Sequence, residues 1–147
     1  MFHRIITLKT MPFEELEHTA DVRVRITAPT LSELFSESGF ALAETLYGKY
    51  QRETATMSIP LNTEGKNTEE GIVNFLSELL FLTETECLVP ISFDLTTDGC
   101  LVRGTVSGIL FDKVKHAGGT GVKGISYSGI SFTKTEAGYE LIIIFDI

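Results

Sequence analysis

Residues 141–145 form an uninterrupted apolar run, Leu-Ile-Ile-Ile-Phe, which is followed directly by Asp146 and Ile147. A short run rich in β-branched side chains is typical of a buried β-strand. We therefore expect the Asp146 side chain and the terminal carboxylate of Ile147 to lie at the edge of low-dielectric surroundings. Two negative charges there repel each other and lose hydration unless a cation, hydrogen-bond donors or protonation compensates. The pattern thus indicates a metal ion or a cationic partner at this strand end.

A second acidic segment precedes another predicted strand. Residues 14–21 contain four carboxylates and His18, and after Asp21 apolar and polar residues alternate. If this strand lies beside the run 141–145, three hard oxygen ligands come together, from Asp21, Asp146 and the Ile147 carboxylate. Ca²⁺ and Mg²⁺ prefer such ligands, and Mn²⁺ also accepts them. Taken singly, Asp21 also fits a turn or cap and Asp146 a solvated end, so the hypothesis depends on the two strands meeting.

Length and charge narrow the class of protein. The chain has 147 residues, 43% of them hydrophobic, and a formal charge of −8. We expect one globular domain over residues 11–147, with residues 1–10 as an N-terminal tail. The acidic balance argues against direct nucleic-acid binding, which needs clustered lysine and arginine.

Because no signal sequence or membrane-spanning apolar run is present, we expect a cytoplasmic protein. Cys87 and Cys100 lie in no zinc-binding pattern.

Two segments carry the spacing of apolar residues that predicts amphipathic helices. The first spans 31–47 and begins with the capping pair Thr30 and Glu33; the second begins with Asn67 and Glu70 and ends near residue 86. Shorter alternating segments predict strands at 22–27, 54–61, 91–97, 100–110, 122–127, 130–136 and 139–146. We therefore predict an α+β fold, a single two-layer domain in which both helices pack on one face of a mixed or antiparallel β-sheet.

Patterns for covalent or nucleotide chemistry are missing from the sequence. Residues 118–121, Gly-Gly-Thr-Gly, lack the lysine and the following helix of a phosphate-binding loop, so we interpret them as a flexible loop tip. No serine lies in a nucleophile elbow. His18 is either a proton carrier beside Asp21 or a structural residue that fixes a loop by hydrogen bonds. The mixed-charge loop 112–116 is either solvated or contacts a partner or nucleotide.

Several segments together resemble the archease family over nearly the whole chain from Phe13 onward. The most specific are the His-Thr-Ala-Asp motif, within Leu-Glu-His-Thr-Ala-Asp-Val at 16–22, and the Ile-Phe-Asp-Ile ending at 144–147. The others read Phe-Leu-Ser-Glu-Leu-Leu-Phe at 75–81, Phe-Asp-Lys-Val-Lys-His at 111–116 and Val-Lys-Gly-Ile-Ser-Tyr at 122–127. Their order and spacing match the family as a set.

The resemblance implies an accessory protein, not an enzyme, that activates an RtcB-type RNA ligase in tRNA splicing. In the family, archease promotes guanylylation of the ligase histidine, allows multiple turnover and broadens nucleotide use. The resemblance also implies a divalent ion held by the aspartate of the His-Thr-Ala-Asp motif and by the C-terminal aspartate region. In this sequence those positions are Asp21, Asp146 and Ile147. The expected partner is the ligase, without direct contact to nucleic acid or membrane.

Three positions depart from the family pattern. Arg23 stands where glycine is usual, Ser128 replaces the histidine that follows Tyr127, and Phe75 replaces tryptophan. Arg23 lies two residues from Asp21, so its positive charge offers the carboxylates an alternative to a metal ion. Ser128 removes an imidazole near the expected site.

Two other functions remain open at this stage. The carboxylates and His18 around a metal ion could hydrolyse a phosphate or amide bond, which would make the chain an enzyme that turns over without any ligase. A chaperone-like interaction module would instead depend on its acidic surface, with the metal ion incidental.

Overall fold

The computed structural model describes residues 21–147 together with the backbone of residues 2–5. The helices of this part are α1 (Leu31–Tyr47) and α2 (Thr68–Thr85). Its strands are β1 (Phe2–Ile5), β2 (Asp21–Ala28), β3 (Met57–Glu64), β4 (Leu88–Thr97), β5 (Leu101–Leu110), β6 (Gly124–Thr135) and β7 (Gly138–Asp146). Within this part of the chain, no helix is long and apolar enough to cross a membrane.

The predicted α+β class is confirmed, but the strands divide between two sheets rather than one. One sheet has the order β1-β2-β7-β6 and the other β3-β5-β4, with every pairing antiparallel. Helix α1 packs on β2 and β7 of the first sheet and on β4 of the second, while α2 packs on β6, β3, β4 and β5. Both helices are therefore shared between the sheets instead of covering a single face.

The distribution of apolar residues on α1 explains why it contacts both sheets. Its buried positions include the adjacent pairs Leu34 and Phe35, and Leu42 and Ala43. Neighbouring residues project about 100° apart around a helix, so these pairs make the buried surface wider than the single stripe of a helix lying on one sheet. A second layer of strands is needed to cover this surface.

The main core lies between the helices and the inner faces of the sheets. On β2 and β7 every second residue is buried, as the alternation of the two sequences requires. The largest fully buried side chains are Phe35, Phe75, Phe145, Leu34, Leu42, Leu61, Ile72, Leu76, Leu79, Leu88, Leu141 and Ile143. The predicted burial of the run 141–145 is thus confirmed for alternate residues, and the other side of β7 faces outward.

The predicted helix starts are confirmed by their capping hydrogen bonds. The Thr30 hydroxyl accepts from the Glu33 backbone N–H, and the Asn67 side chain accepts from the Glu70 backbone N–H. The Glu70 carboxylate accepts in turn from the Lys66 backbone N–H at 2.8 Å. Each cap satisfies donors that the first helical turn leaves without intrahelical partners.

Several predicted boundaries differ from the structure, including the start of β4, which lies at Leu88 instead of residue 91. Strand β3 was predicted at 54–61 but spans Met57–Glu64, because its pairing with β5 continues to the start of β5. The predicted strands 122–127 and 130–136 are one strand, β6, in which residues 127–130 bulge opposite Ile143. Within the predicted N-terminal tail, the backbone of Phe2–Ile5 forms β1 and pairs with the edge of β2.

Candidate functional site

Asp21 and Asp146 lie directly opposite each other where β2 and β7 pair. The condition on which the site hypothesis depends, that the two strands meet, is therefore fulfilled. Side chains of directly opposed residues point to the same face of a sheet, with Cβ atoms about 4.5–5.5 Å apart. Both residues are partly exposed, and the alternation of each strand places them on the outer face, away from the helices.

The site lies at the end of an apolar strand because the residues next to it are anchored in the core. Val22 and Phe145 are buried neighbours of the two aspartates and are themselves opposed across the same strands. Ile147 packs partly buried against the main core. These apolar contacts fix the backbone beside the two aspartates, so their Cα atoms are held at cross-strand spacing.

A glycine on the neighbouring strand leaves room beside Asp146. Gly124 of β6 pairs with Asp146 on the side opposite Asp21. A Cβ atom placed on Gly124 would have no atom of the described residues within 4 Å, apart from its own chain neighbours. Among the residues that the structure describes, the outer face of this row is therefore open next to Asp146.

A strap formed by residues 118–123 connects this site to the end of α1. The Gly118 and Thr120 backbone N–H groups donate to the Tyr47 and Thr45 carbonyl oxygens, at 3.1 and 2.8 Å. Further along, the Lys123 backbone N–H donates to the Asp146 carbonyl oxygen at 2.7 Å. The strap thus satisfies acceptors that the helix end leaves unpaired and supports the backbone of Asp146.

The interpretation of 118–121 as a flexible loop tip is therefore wrong for its first three residues. A Cβ atom on Gly119 would lie 2.2 Å from the Leu46 carbonyl carbon and 2.4 Å from the Thr45 carbonyl oxygen. Only glycine permits this close approach of two backbones. The sequence signal was the paired glycines, but it did not show which helix end they cover.

Arg23 is exposed on the same outer face of β2 as Asp21 and pairs in register with Ile144. Arg23 and Asp21 are two positions apart on β2, so their Cα atoms are about 7 Å apart. Arg23 is therefore close enough to attract the carboxylate pair electrostatically. Ser128, the other substitution near the site, lies in the exposed bulge of β6, where its carbonyl oxygen accepts from the Ser126 hydroxyl.

The donors present have the chemistry of a site for a hard cation, although they are few. Within residues 21–147, no group of three or more His, Cys, Asp or Glu side chains is gathered for metal binding. Asp21 and Asp146 supply two carboxylates, and the main chain of Ile147 follows Asp146 directly. Ca²⁺ and Mg²⁺ accept such oxygen ligands and complete their coordination with water. His18 and the acidic residues before it lie outside the described residues.

A second cluster with unusual chemistry surrounds His116, which is 2% exposed. Its Nδ1 accepts a hydrogen bond from the Asp112 backbone N–H at 2.9 Å, so the neutral ring carries its proton on Nε2. The ring packs against three aromatic neighbours, Tyr47, Tyr50 and Phe111, with centroids 5.7–6.0 Å away. Of the alternatives for the loop 112–116, full solvation is therefore wrong for His116, although the residues around it are exposed.

The carboxylate of Asp112 holds the same loop in one conformation. It accepts hydrogen bonds from the backbone N–H groups of Val114 and Lys115, at 2.8 and 3.1 Å. The bonds from Lys115 and Val114 lower the pKa of Asp112 below its ordinary value. At neutral pH the loop is therefore fixed by a charged acceptor at one end and by buried His116 at the other.

Comparisons with family models and with individual proteins find the same family. Residues 13–147 match the model of the Archease protein family. Protein archease from Pyrococcus furiosus is 32% identical over 130 residues, which cover 86% of this chain and 91% of that protein. Protein archease-like from Drosophila melanogaster is 31% identical over 150 residues, with 95% and 93% of the two chains covered.

Two solved structures share the fold. The crystal structure of an archease from Thermotoga maritima, described as a possible chaperone, superposes with a TM-score of 0.66 at 18% identity. The match covers 95% of this chain and all of that one. The solution structure of protein 1598 from Methanobacterium thermoautotrophicum gives a TM-score of 0.60 at 16% identity, with 91% and 96% covered. At these identities the likeness concerns the fold alone.

Proposed function

The chain belongs to the archease family, and from this premise we propose that it is a cytoplasmic accessory protein that activates an RtcB-type RNA ligase in tRNA splicing. In this proposal it promotes guanylylation of the ligase and allows multiple turnover, without catalysing ligation itself. The observation that supports it most directly is the register of Asp21 against Asp146. This pairing brings together the two aspartates that the family resemblance assigns to the functional site.

We further propose that Asp21, Asp146 and Ile147 hold a divalent cation, Ca²⁺ or Mg²⁺ with Mn²⁺ as a further option. The oxygen donors and the open space beside Gly124 fit such an ion. When bound, the ion supplies positive charge that can orient phosphate oxygen atoms. The contribution of the chain is to hold two carboxylates at fixed spacing on a rigid sheet, supported by the bond from Lys123 to the Asp146 carbonyl oxygen.

The acidic character of the chain supports a protein partner rather than RNA as the direct contact. A formal charge of −8 opposes binding to phosphate backbones but favours an RNA-binding enzyme with positive surfaces. The paired carboxylates would then meet cationic or metal-bearing groups of that enzyme.

The test is RNA ligation by a cognate RtcB-type ligase with GTP and Mn²⁺, measured with and without this protein under substrate excess. We expect ligation that stops after about one turnover without the protein to continue through many turnovers with it. Unchanged product yield at every ratio of protein to ligase would overturn the proposal.

A chaperone-like interaction module is the second candidate, because the Thermotoga relative is described as a possible chaperone. It predicts that the protein protects the ligase from thermal aggregation and that an Asp21→Ala variant does so equally well. An independent metal-dependent hydrolase is a third candidate and would turn over a phosphate or amide substrate in the absence of ligase. The same ligation assay separates activation from both.

A further inference from the structure

Strand β1 lies at one edge of the four-stranded sheet and covers only part of the strand beside it. Phe2 pairs with Val24 and Ile5 with Asp21, so β1 spans the first half of β2. Among the elements that the structure describes, β1 contacts β2 alone. It also precedes residues 13–147, the part of the chain that matches the archease family model. Of these elements, β2 alone therefore holds β1 in the sheet.

The second half of the β2 edge has no strand beside it within the described residues. The register of β1 ends at Val24, whereas β2 continues to Ala28 and pairs with β7 along its whole length. In an antiparallel ladder, every second residue directs its N–H and C=O groups away from a given neighbour. Part of the backbone of residues 25–28 therefore presents hydrogen-bonding groups on the side opposite β7, where an added strand would pair.

A groove runs along this edge. Its cavity of about 270 Å³ is bordered by residues 24–27 of β2 and by α1. Val24 and Ile26 are buried on the inner face of the sheet, whereas Arg25 and Thr27 are exposed on the outer face. Because the cavity touches residues of both faces, it lies along the edge of the strand rather than on either face. Side chains of a segment paired with the edge have space there.

The charges that border the groove balance each other. Arg25 and Arg52 carry positive charge, Glu37 and Glu44 of α1 carry negative charge, and the Arg52 guanidinium lies 3.6 Å from the centre of the Phe40 ring. Two side chains of each sign give no net preference for a charged occupant. The backbone of the edge is thus the main recognition feature, and its complement is another extended backbone.

The kind of occupant that fits this edge is shown by β1 itself. Its pairing demonstrates that β2 accepts an extended chain in antiparallel register next to Asp21. A longer segment in the same register would pair with residues 21–28 and pass beside Asp21, which pairs on its other side with Asp146. Such a segment needs the backbone groups that β1 uses, so the two cannot pair with β2 at the same time.

We propose that the edge of β2 is the binding site for an extended segment of a protein partner, which pairs antiparallel with residues 21–28, and that β1 competes for this edge from within the chain. The inference rests on the proposed function, in which the ligase is that partner. Pairing brings the ligase beside the Asp21–Asp146 pair, while β1 limits how often the edge is available.

Hydrogen exchange of the full chain, free and bound to the ligase, tests the pairing directly. We expect the amides of residues 25–28 that point away from β7 to exchange about tenfold or more slowly in the complex, because a partner strand accepts hydrogen bonds from them. Amides on the outer edge of β6, the other edge strand of the same sheet, are the internal control and should keep their exchange rates.

The competition is tested by weakening β1. His3 and Arg4 pair in register with Arg23 and Val22, and one of the two directs its N–H towards β2. The double variant His3→Pro, Arg4→Pro removes both donors. If β1 covers the edge about nine-tenths of the time, its release lowers the Kd for the ligase about tenfold in titration calorimetry. The matched control His3→Ala, Arg4→Ala keeps both backbone donors and should bind like the wild type.

The possible failures can be told apart. Unchanged exchange at residues 25–28 in a complex that activates normally would overturn the strand-binding site alone. Slowed exchange there with no effect on ligation would overturn the proposed function alone. A proline variant that binds the ligase no more tightly than the wild type would overturn the competition by β1. Exchange at β2 that is slowed by self-association but not by the ligase would assign the edge to a second copy of this chain. Absence of any binding would overturn both proposals.

Discussion

Asp21 on β2 and Asp146 on β7 are direct cross-strand neighbours on the outer face of the four-stranded sheet. Like charges in this position repel each other, and the apolar anchors Val22 and Phe145 prevent the strands from moving apart. The fold therefore holds the backbone of two acidic residues at cross-strand spacing. A cation that binds between the two carboxylates would stabilise this arrangement by reducing their repulsion.

A divalent ion should stabilise the protein through this pair. At an ion concentration about 100 times its Kd, linkage predicts about 2.7 kcal/mol of added stability. We expect Ca²⁺ or Mg²⁺ to raise the Tm of the wild type in thermal unfolding, and Asp146→Asn to remove that rise. Asp94→Asn, an exposed carboxylate on β4, should keep it. A metal-dependent rise that survives Asp146→Asn would place the ion elsewhere.

Arg23 should weaken divalent binding by competing for the carboxylates. At about 7 Å and with the dielectric constant of water, its repulsion of a divalent ion is about 1 kcal/mol, which lowers affinity about sevenfold. We expect Arg23→Ala to bind Ca²⁺ correspondingly more tightly in titration calorimetry. Arg103→Ala, an exposed position on β5, is the control and should change nothing. Weaker binding in Arg23→Ala would mean that Arg23 supports the site.

We expect a side chain at Gly119 to disrupt the contacts of the strap with α1. In Gly119→Ala the new Cβ meets the Leu46 and Thr45 backbone, so the bonds to the end of α1 must lengthen or break. We expect the free energy of unfolding to fall by about 1–3 kcal/mol in urea denaturation. Gly121→Ala is the matched control, because its Cβ would meet no atom of the described residues within 4 Å, apart from its own chain neighbours. Equal stability of both variants would show that the strap does not need the close approach.

The loop 112–116 should loosen in acid. The folded pKa of Asp112 is lowered by the bonds from Lys115 and Val114, so its stabilising effect is present above the unfolded pKa of about 3.9. That effect is lost as pH falls through the lowered folded pKa. We expect the amide protection factors of Val114 and Lys115 to fall in that window, measured by hydrogen exchange.

Two variants check the cause of this acid response. Asp112→Asn keeps an oxygen acceptor and should lose the pH dependence, while Asp112→Ala should show low protection at every pH. The turn at Asp98 is an internal control, since bonds from Leu101 and Cys100 lower the pKa of Asp98 in the same way. Its amides should keep their acid response in both variants. Retained pH dependence at Val114 in Asp112→Asn would assign the response to another group.

Sequence patterns predicted the local structure well where one physical signal dominated. The helix starts at Thr30 and Asn67 follow from capping chemistry, and Pro60 lies on β3, an edge strand, as expected for a residue without an N–H donor. The sequence posed the approach of Asp21 to Asp146 only as a condition, because an acidic residue at the end of each apolar strand does not show which strands pair.

Features that depend on non-local contacts could not be read from the sequence. Two sheets form instead of one because buried residue pairs such as Leu34 and Phe35 widen the apolar surface of α1, and periodicity alone does not say what covers it. The strap was missed because Gly119 is required by the position of a distant helix end. The burial of His116 was missed because it depends on how Tyr47, Tyr50 and Phe111 pack around its ring.

Guanylylation of the ligase is the most direct test of the account. The rate of guanylate adduct formation should be measured for a cognate RtcB-type ligase alone, with the wild-type protein, with Asp146→Ala and with Asp94→Ala. We predict that the wild type and Asp94→Ala accelerate adduct formation equally, and that Asp146→Ala binds the ligase without accelerating it. Full acceleration by Asp146→Ala would contradict a role for the Asp21–Asp146 pair in activation.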